Sequence, residues 1–565
     1  MICVRGVGET AYTRRSGRSV PDLATEASRA ALADAGLDAA RVDGVIPLGG
    51  SVFTEDLTAG LGLPGQVFDA SPAPGGNAAV SALRLAESVI GSGTASCVLI
   101  VLARNGSSGA RIGARARLLP GQQFRTQLEH PHGWSLPAQW YAMICRRHMA
   151  EYGTSKDQLA AVALSAYRYA QANPRAMRYG RPLTPRQYHE AGMIADPYQR
   201  YDCCLETDGA AAVVVTAGPA RSGPARPAAA GEVRAVPVLA VESARPPSPD
   251  DLTNRPDWHH IGLTDAAPAA WERAGVAPAD LDAAMIYDCF TFEVIHQLEE
   301  AGFCPRGEGG PFAASGALDP GGRLPVNPHG GLLAEGHLGG LNHVIEAVRQ
   351  LRGEAAGRQL ARARLIGVTG WGDWGDGSLA VLGRPPALRA APPTAAGPPT
   401  SSVPVPASGP ATPASGPAIP APDLDDPDFA PFWAGCRDER LLLPRCGQGH
   451  RYWPPRPACP HCQDTARDWQ EVAPAGWLYS WTVVHRTPLP AFQSLTPYVV
   501  GVVELAAHPG LRLLGRCQCD PGQLRVGLPL RAEFEHVTAQ FSLPLWRGQD
   551  SDGGLGSPPN PGSTQ

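Results

Sequence analysis

Three cysteines and one histidine near the C-terminus have the spacing of a metal site. Cys446 precedes His450 by four positions, and Cys459 precedes Cys462 by three. Paired thiolate and imidazole ligands on tight turns are usual donors to tetrahedral zinc, and in so short a segment the metal replaces a hydrophobic core. Four protein ligands leave no open position for a substrate. The pattern therefore predicts a structural zinc ion, with a degenerate, metal-free site as the alternative.

The remaining residues disfavour two common ways of activating a carbonyl compound. Lys156 is the single lysine among 48 basic residues, and it follows Gly-Thr-Ser at the predicted start of an exposed helix. A Schiff-base lysine must instead be desolvated or lie beside another cation. A metal-bound enolate needs converging ligands, and the adjacent His259 and His260 point in different directions. The sequence therefore favours neither a Schiff-base lysine nor a metal-bound enolate.

The composition excludes several classes of partner. The chain has 565 residues, 43% hydrophobic and 18% charged, with a net charge of −5. It lacks a Lys/Arg run, so neither nucleic acid nor an anionic membrane is an expected partner. No apolar run reaches the length of a membrane span, and the N-terminus lacks a signal-peptide pattern. The chain has 13 cysteines, an odd number, and they are scattered in apolar contexts. This pattern predicts reduced thiols and a cytoplasmic protein.

A proline-rich stretch divides the chain. Between Pro385 and Pro422, 13 of the 38 residues are proline, and most of the others are Ala, Ser, Thr or Gly. Such a composition cannot bury a core and predicts an extended linker, which we place at 385–424. It separates a large N-terminal body from a C-terminal module that ends at 548. Residues 549–565 are expected to be a disordered tail.

The large body repeats a pattern of helix, glycine and strand. The segments ATEASRAALADAGLDAARVDGVIPLG and APAAWERAGVAPADLDAAMIYD each combine an Ala-rich helix, an Ala-Gly stop and a short apolar strand. In both, an aspartate (Asp43 and Asp282) follows eight residues after the Ala of that stop. Alternating helices and apolar strands indicate an α/β fold. The repeat predicts two similar halves, at 1–220 and 232–384.

Several spaced segments of the body carry a family resemblance. They are, in order, AGLDAARVDGVI, AEYGTSKDQLAAVA, IADPYQRYDCCLETDGAAAVVV, IYDCFTFEVIHQLEEAGFC and NPHGGLLAEGHLGG. Together they resemble the thiolase superfamily, and most of all its sterol-carrier-protein-x branch and the lipid-transfer-protein aldolases of steroid side-chain degradation. The resemblance implies a duplicated thiolase fold with α/β/α/β/α layers, a homodimer and an acyl-CoA thioester substrate.

The chain departs from thiolases at both of their cysteines. A thiolase has its nucleophile at the start of a helix in the first half, where the helix N-terminus lowers the thiol pKa. In DASPAPGGNAAVSALRLA, Gly75 and Gly76 stand in that place, and VTGWGDWGDGSLAVL lacks the second cysteine, the acid/base. Without a nucleophile no acyl-enzyme forms, so ordinary thiolysis is disfavoured. The aldolases of this branch also lack the cysteines and use tyrosine.

The resemblance implies roles for individual residues. Tyr287 is expected to exchange the β-hydroxyl proton, which requires a lowered phenol pKa or a relay, and His337 to donate to the thioester oxygen. The aldolases carry a tyrosine where this chain has His337. Asp288 is expected to orient the loop, and Asp373 or Asp376 to relay protons. A packed strand-edge tyrosine and an ordinary loop histidine are the structural alternatives. Contacts with the coenzyme A thioester are expected from Gly336, Gly339, Gly340 and His132.

The C-terminal module resembles a second family. The segment FWAGCRDERLLLPRCGQGHRYWPPRPACPHC and the strands that follow it resemble proteins that join a rubredoxin-like zinc ribbon to an OB-fold and accompany thiolase-like enzymes. The resemblance implies a ribbon at 425–470 and an OB-fold at 471–548. The family's first metal knuckle is C-x2-C, and Gly449 stands at its second cysteine. Two alternatives follow: His450 substitutes as a ligand, or the site lacks metal.

The leading hypothesis is a carbon–carbon lyase. It performs a retro-aldol or aldol reaction on a β-hydroxyacyl-CoA or carrier-protein thioester, with the enolate stabilised in an oxyanion hole. Two alternatives stay open at this point. One is a thiolase-like acyltransferase or condensing enzyme without a cysteine nucleophile, and the other is a non-catalytic subunit that binds acyl-CoA. The expected partners are the acyl thioester and a second copy of the chain.

Overall fold

The computed structural model describes residues 1–50, 52–72, 75–109, 111–112, 123–218, 235–247, 252–372, 375–384 and 418–549. Asp373 lies outside this set, as do residues 385–417 of the predicted linker and 550–565 of the predicted tail. The last strand of the body ends at Gly383, and the first helix of the C-terminal module begins at Ala430. The domain limits placed between these two residues remain predictions.

Strands and helices are numbered in chain order. The strands are β1 (Ile2–Glu9), β2 (Gly44–Leu48), β3 (Phe68–Asp69), β4 (Cys97–Asn105), β5 (Met193–Asp196), β6 (Tyr198–Gln199), β7 (Asp208–Ala217), β8 (Val236–Ala244), β9 (Ala283–Met285), β10 (Leu365–Trp371), β11 (Gly377–Gly383), β12 (Leu441–Cys446), β13 (Arg467–Val472), β14 (Ala475–Val484), β15 (Tyr498–Leu505), β16 (Arg512–Gln518), β17 (Pro529–His536) and β18 (Ser542–Gly548). The α-helices are α1 (Val20–Ala35), α2 (Thr54–Leu61), α3 (Ala78–Gly91), α4 (Gln123–Leu128), α5 (Pro137–Tyr152), α6 (Lys156–Ala170), α7 (Pro185–His189), α8 (Gly262–Ala274), α9 (Thr291–Glu300), α10 (Gly309–Ala314), α11 (Gly331–Ala334), α12 (Leu341–Arg352), α13 (Ala430–Arg437) and α14 (Pro490–Gln493). Among the helices of the described residues, none has both the length and the hydropathy needed to cross a membrane.

The two halves of the body share one sheet of nine strands. The first half contributes the order β3-β2-β4-β7-β1, and the second continues it as β8-β11-β10-β9. They join where Ile2 of β1 pairs with Val238 of β8, and Val4 with Val236. β4 and β7 are buried along most of their length, as their uninterrupted apolar runs predict for strands covered on both faces.

Helices on both faces of the half-sheets complete five layers. α1 packs Ala24, Ala27 and Ala31 against one face of the first half-sheet. α3 and α12 share one hydrophobic cluster with strands of both halves and so form the middle layer. α8 and α9 cover the outer face of the second half-sheet. The duplicated α/β/α/β/α architecture predicted from the sequence is confirmed.

The C-terminal module consists of a two-stranded ribbon and a small barrel. β12 and β13 pair antiparallel, with Leu441 opposite Val472. The barrel strands have the order β15-β16-β18-β17-β14, and β15 pairs with β14 to close the ring. Five strands closed in this way have the architecture of an OB-fold. The predicted zinc ribbon and OB-fold are therefore confirmed as folds.

The barrel docks on the body through strand pairing and side chains of α5. β14 pairs antiparallel with β5 of the body, with Val483 opposite Asp196, which adds two strands to the barrel sheet. Ser480 Oγ donates a hydrogen bond of 2.7 Å to the Met143 carbonyl oxygen in α5. The ring of Tyr479 lies between two guanidinium groups: its centroid is 3.8 Å from Arg512 Cζ and 4.0 Å from Arg147 Cζ.

Candidate active site and metal centre

Tyr287 is held just after a buried strand of the second half-sheet. It follows β9, its backbone N–H donates to Thr369 Oγ1 at 3.3 Å, and its carbonyl oxygen accepts from Gln297 Nε2 at 2.7 Å. Thr369 Oγ1 donates in turn to Gln297 Oε1 at 2.7 Å. Only 5% of the Tyr287 surface is exposed. These bonds fix the backbone that carries the phenol.

The phenol of Tyr287 lies against the backbone of Gly76. A Cβ atom added at Gly76 would come within 2.3 Å of Tyr287 Cε1 and Cζ, and within 2.2 Å of the Trp371 carbonyl oxygen. Both distances are far shorter than real Cβ contacts. The ring therefore fills the space that a side chain at position 76 would need, just before α3. The family resemblance implies the nucleophilic cysteine of thiolases at this place.

His337 lies within reach of the Tyr287 hydroxyl. Its Nε2 is 3.4 Å from Tyr287 Oη, its Nδ1 is 2.7 Å from Arg104 Nη1, and its backbone N–H donates to Thr207 Oγ1 at 3.0 Å. A guanidinium group has donors only, so Nδ1 accepts and the proton of the neutral ring is on Nε2. His337 thus presents an N–H on the side of Tyr287, which is the type of donor that stabilises an oxyanion.

Sequence reasoning missed Arg104. It is the eighth residue of β4, where it ends a run of seven buried apolar residues. A charge at the end of such a run is a visible signal, but its partner lies 233 positions away on the other half of the chain. The halves therefore meet at this site, since β4 belongs to the first and the loop of His337 to the second.

Asp288 supports the segment that leads to His337. Its carboxylate accepts the backbone N–H groups of Leu332 and Leu333, at 2.8 and 3.3 Å, and lies 3.0 Å from His343 Nε2. It is buried. Because the two amides belong to α11 and His343 to α12, one carboxylate ties the end of β9 to both helices. These contacts agree with the predicted role of Asp288 in orienting the loop, which remains a prediction.

The three glycines around His337 allow close approach of the backbone. A Cβ atom at Gly336 would lie 2.8 Å from the ring of Tyr12, and one at Gly340 would lie 3.2 Å from Tyr287 Cδ2. Gly339 and Gly340 both have positive φ, 57° and 85°. The loop therefore packs directly on the candidate catalytic ring. Its binding of coenzyme A remains a prediction.

A buried polar cluster lies behind this loop. His343 Nδ1 is 3.0 Å from His329 Nε2, and Glu335, two residues before His337, accepts from Asn173 Nδ2 at 2.7 Å. Burial, together with neighbouring carboxylates, raises the pKa of Glu335 to about 8. Burial also holds the pKa of His329 well below its ordinary value. The cluster was not predicted, because its members are spread over the sequence.

His132 lies where the body meets the barrel. It is buried, and burial with the nearby Arg516 guanidinium lowers its pKa to about 3. The next residue, Gly133, accepts a hydrogen bond of 2.8 Å from the Tyr498 hydroxyl of β15. The described surroundings of His132 are thus those of a domain contact. Its predicted contact with coenzyme A remains a prediction.

The four predicted metal ligands converge at the end of the ribbon. The donor atoms of Cys446, His450, Cys459 and Cys462 all lie within 4.8 Å of one another. Cys446 Sγ is 3.7 Å from Cys462 Sγ and 3.4 Å from His450 Nδ1. A tetrahedral zinc with bonds of about 2.3 Å to sulfur places two thiolates about 3.8 Å apart. His450 takes the place expected for the missing cysteine, so the donor set fits zinc.

Three family models match parts of the chain. Residues 248–384 match the thiolase C-terminal domain-like family. Residues 433–466 match the ChsH2 rubredoxin-like zinc ribbon domain, and residues 469–535 match the ChsH2 C-terminal OB-fold domain.

Known proteins are similar over about two thirds of the chain. The chain is 38% identical over 360 residues to 17-hydroxy-3-oxo-4-pregnene-20-carboxyl-CoA lyase of Mycobacterium tuberculosis, which covers 62% of this chain and 90% of that protein. It is 35% identical over 356 residues to the steroid side-chain-cleaving aldolase of Thermomonospora curvata, again over 62% and 90%. A solved structure, an Ltp2-ChsH2(DUF35) aldolase, has 32% identity and a TM-score of 0.60 over 68% of this chain and 97% of its own.

Proposed function

Since the chain belongs to the thiolase-like aldolases of the thiolase superfamily, we propose that it is a carbon–carbon lyase acting on a β-hydroxyacyl-CoA thioester. Two relatives are named for steroid substrates, one of them a carboxyl-CoA, so the proposed acyl group is a steroid or another bulky lipid. The products are a shortened acyl-CoA and a ketone or aldehyde.

Tyr287 and His337 divide the chemistry between them. The phenolate of Tyr287 takes the proton of the β-hydroxyl, the freed electron pair forms the new carbonyl, and the Cα–Cβ bond breaks toward the thioester. The thioester becomes an enolate whose oxygen accepts from His337 Nε2–H. Return of the proton from Tyr287 to Cα completes the shortened thioester, so the enzyme ends in its starting protonation state.

The contact between Tyr287 and Gly76 is the observation that carries this proposal. A thiolase attacks its substrate with a side chain at that place, and here a phenol fills the space instead. A phenol that can hold a proton supports acid–base cleavage, whereas acyl transfer through an acyl-enzyme needs a nucleophile. The sequences around Gly76 and along β10 and β11 contain no cysteine. Acyl transfer is therefore the less favoured alternative.

Product analysis tests the lyase proposal. The purified chain is incubated with β-hydroxyacyl-CoA thioesters, including steroid ones, and acyl-CoA and carbonyl products are measured. We expect cleavage, and loss of most of it in Tyr287→Phe, with Tyr179→Phe as the control because Tyr179 is half exposed on the surface. Transfer of an acyl group to free CoA would support the acyltransferase instead. CoA binding without turnover would support a non-catalytic subunit.

We further propose that Cys446, His450, Cys459 and Cys462 hold a structural zinc ion. The donor set and its spacing support it, as does the match to a zinc ribbon family. The metal would tie the two knuckles together in place of a core. With four protein ligands it would leave substrate chemistry to the large body.

The proposed assembly is a homodimer in the cytoplasm, with the C-terminal module in the place of a separate ChsH2 chain. β3 is an edge strand of the nine-stranded sheet, the apolar Val67, which directly precedes it, is 66% exposed, and Phe53 at the start of α2 is 61% exposed. A second copy that covers this edge would remove both the unpaired strand and the apolar surface. Light scattering of the full chain is expected to give twice the monomer mass of 59.2 kDa.

A further inference from the structure

We propose that Arg104 is a positioning residue that fixes His337 as a neutral Nε2–H donor toward Tyr287. The inference rests on the proposed roles of those two residues. Arg104, from the first half of the chain, would then control the protonation of His337 and Tyr287, which both belong to the second half. Arg104 does this through His337 and has no direct part in the bonds that break or form.

The position of Arg104 is rigid because of the strand that carries it. β4 lies between β2 and β7, and Arg104 is in register with Gly209 of β7. The guanidinium is half-buried and lies close to two glycines. A Cβ atom at Gly339 would come within 3.2 Å of Arg104 Nη2, and one at Gly49 within 3.8 Å. The loop of His337 thus closes onto the guanidinium, with glycine where a side chain would intervene.

The chemistry of the contact determines the tautomer. Arg104 Nη1 lies 2.7 Å from His337 Nδ1, and a guanidinium can only donate, so Nδ1 keeps its lone pair. A second proton on the ring would place two cations side by side, which the charge of Arg104 disfavours. The ring therefore stays neutral with its proton on Nε2, 3.4 Å from Tyr287 Oη.

The same arrangement favours the phenolate form of Tyr287. An N–H donated to a phenolate, with a guanidinium behind it, stabilises negative charge on Oη. Among the described residues, four carboxylates near the site have other partners: Asp288 bonds to α11 and His343, Asp208 to Ser107 and Ser108, Asp376 to Asn77, and Glu335 to Asn173. Through His337, Arg104 is therefore expected to favour the deprotonated phenol that a tyrosine base needs near neutral pH.

Kinetics of paired variants test whether Arg104 acts through His337. Arg104→Met is expected to lower kcat by about 10- to 100-fold with little change in KM, and to move the acid limb of the pH profile to higher pH. Arg104→Lys is expected to retain much of the rate, and added guanidinium to restore part of it in Arg104→Met. Arg186→Met is the control, because that side chain is 83% exposed.

The decisive comparison is the double variant. In the His337→Gln background, Arg104→Met should lower kcat little further, because the partner of Arg104 is already lost. An equal loss in both backgrounds, or no loss in either, overturns the proposal.

Nitrogen-15 NMR of labelled histidine gives an answer that does not depend on activity. The signal that disappears in His337→Gln identifies His337, and it is expected to show an unprotonated Nδ1 in the wild type over a wide pH range. In Arg104→Met it should titrate at higher pH. A protonated Nδ1 in the wild type refutes the role of Arg104, even if lyase activity is found. The expected spectrum without lyase activity refutes the proposed function alone.

Discussion

Gly76→Ala tests the packing on which the proposed chemistry depends. The new methyl group would begin 2.3 Å from two ring carbons of Tyr287, whereas ordinary contact begins near 3.4 Å. The ring or the backbone must therefore give way by about 1 Å, and the Trp371 carbonyl oxygen, 2.2 Å from the same Cβ position, crowds the methyl further. Overpacking of this kind costs about 1–3 kcal/mol of unfolding free energy.

The effect on catalysis should exceed the effect on stability. A displacement of about 1 Å of a catalytic group can cost about 100-fold in rate, and it would also change the 3.4 Å separation between Tyr287 Oη and His337 Nε2. Urea unfolding measures the loss of stability. The loss of rate is measured as kcat with a β-hydroxyacyl-CoA. Gly65→Ala is the matched control, because a Cβ atom there meets nothing within 4 Å.

A double-mutant cycle separates local clash from general damage. In a Tyr287→Ala background the clash of the methyl with the ring is removed and the clash with the Trp371 carbonyl oxygen remains, so Gly76→Ala should cost less stability than in the wild type. If Gly76→Ala leaves both stability and kcat at the wild-type level, the phenol does not lie against Gly76 and the argument for a replaced nucleophile fails.

Three further predictions concern the metal, the docked module and pH. Metal analysis should find one zinc per chain, lost in Cys459→Ala and kept in Cys519→Ala; full occupancy in Cys459→Ala would contradict the assigned ligands. Tyr479→Ala removes a ring held between Arg512 and Arg147, and the loss of each cation–π contact costs about 0.5–2 kcal/mol. The thermal midpoint of the full chain should therefore fall in Tyr479→Ala and stay unchanged in the control Tyr179→Ala. The depressed pKa of His132, about 3, means that the unfolded chain takes up a proton below about pH 6.5 while the folded one does not. The folded protein therefore loses stability as pH falls from about 6.5 toward 3, by about 2 kcal/mol at pH 5. Urea unfolding at a series of pH values should show a free energy of unfolding that depends less on pH in His132→Gln than in His189→Gln.

The sequence was most informative where local pattern and structure coincide. The Ala-Gly stop after α1 is a glycine with φ of 61° at position 36, and the repeated stop after α8 is Gly275 with φ of 71°. Both follow from the need for a left-handed residue at a helix end. Tyr287 and His337 could be singled out because each lies in a short motif. Asp288 could be expected to orient a loop because it adjoins one of them.

The contacts that decide the chemistry could not be predicted in this way. Arg104 and His337 are 233 residues apart, and the space at Gly76 is filled by a ring 211 positions further along the chain. Neither pairing leaves a periodic signal, because both arise where the two half-sheets are brought together. The glycine at 76 could be seen as a missing cysteine, but only the fold reveals what occupies the space it leaves.

The position of the C-terminal module gives it a physical route to the candidate site. Ser480 of the barrel bonds to the Met143 carbonyl in α5, and Tyr141 of the same helix packs edge-on against Trp371 at 5.1 Å. The Trp371 carbonyl in turn faces Gly76, which lies against Tyr287. Each step is a packed contact between rigid elements, so a shift of the barrel must be absorbed within α5 or passed on to the phenol. A module held on the same chain keeps α5 in one position, and loss of docking should therefore reduce kcat before it unfolds the body.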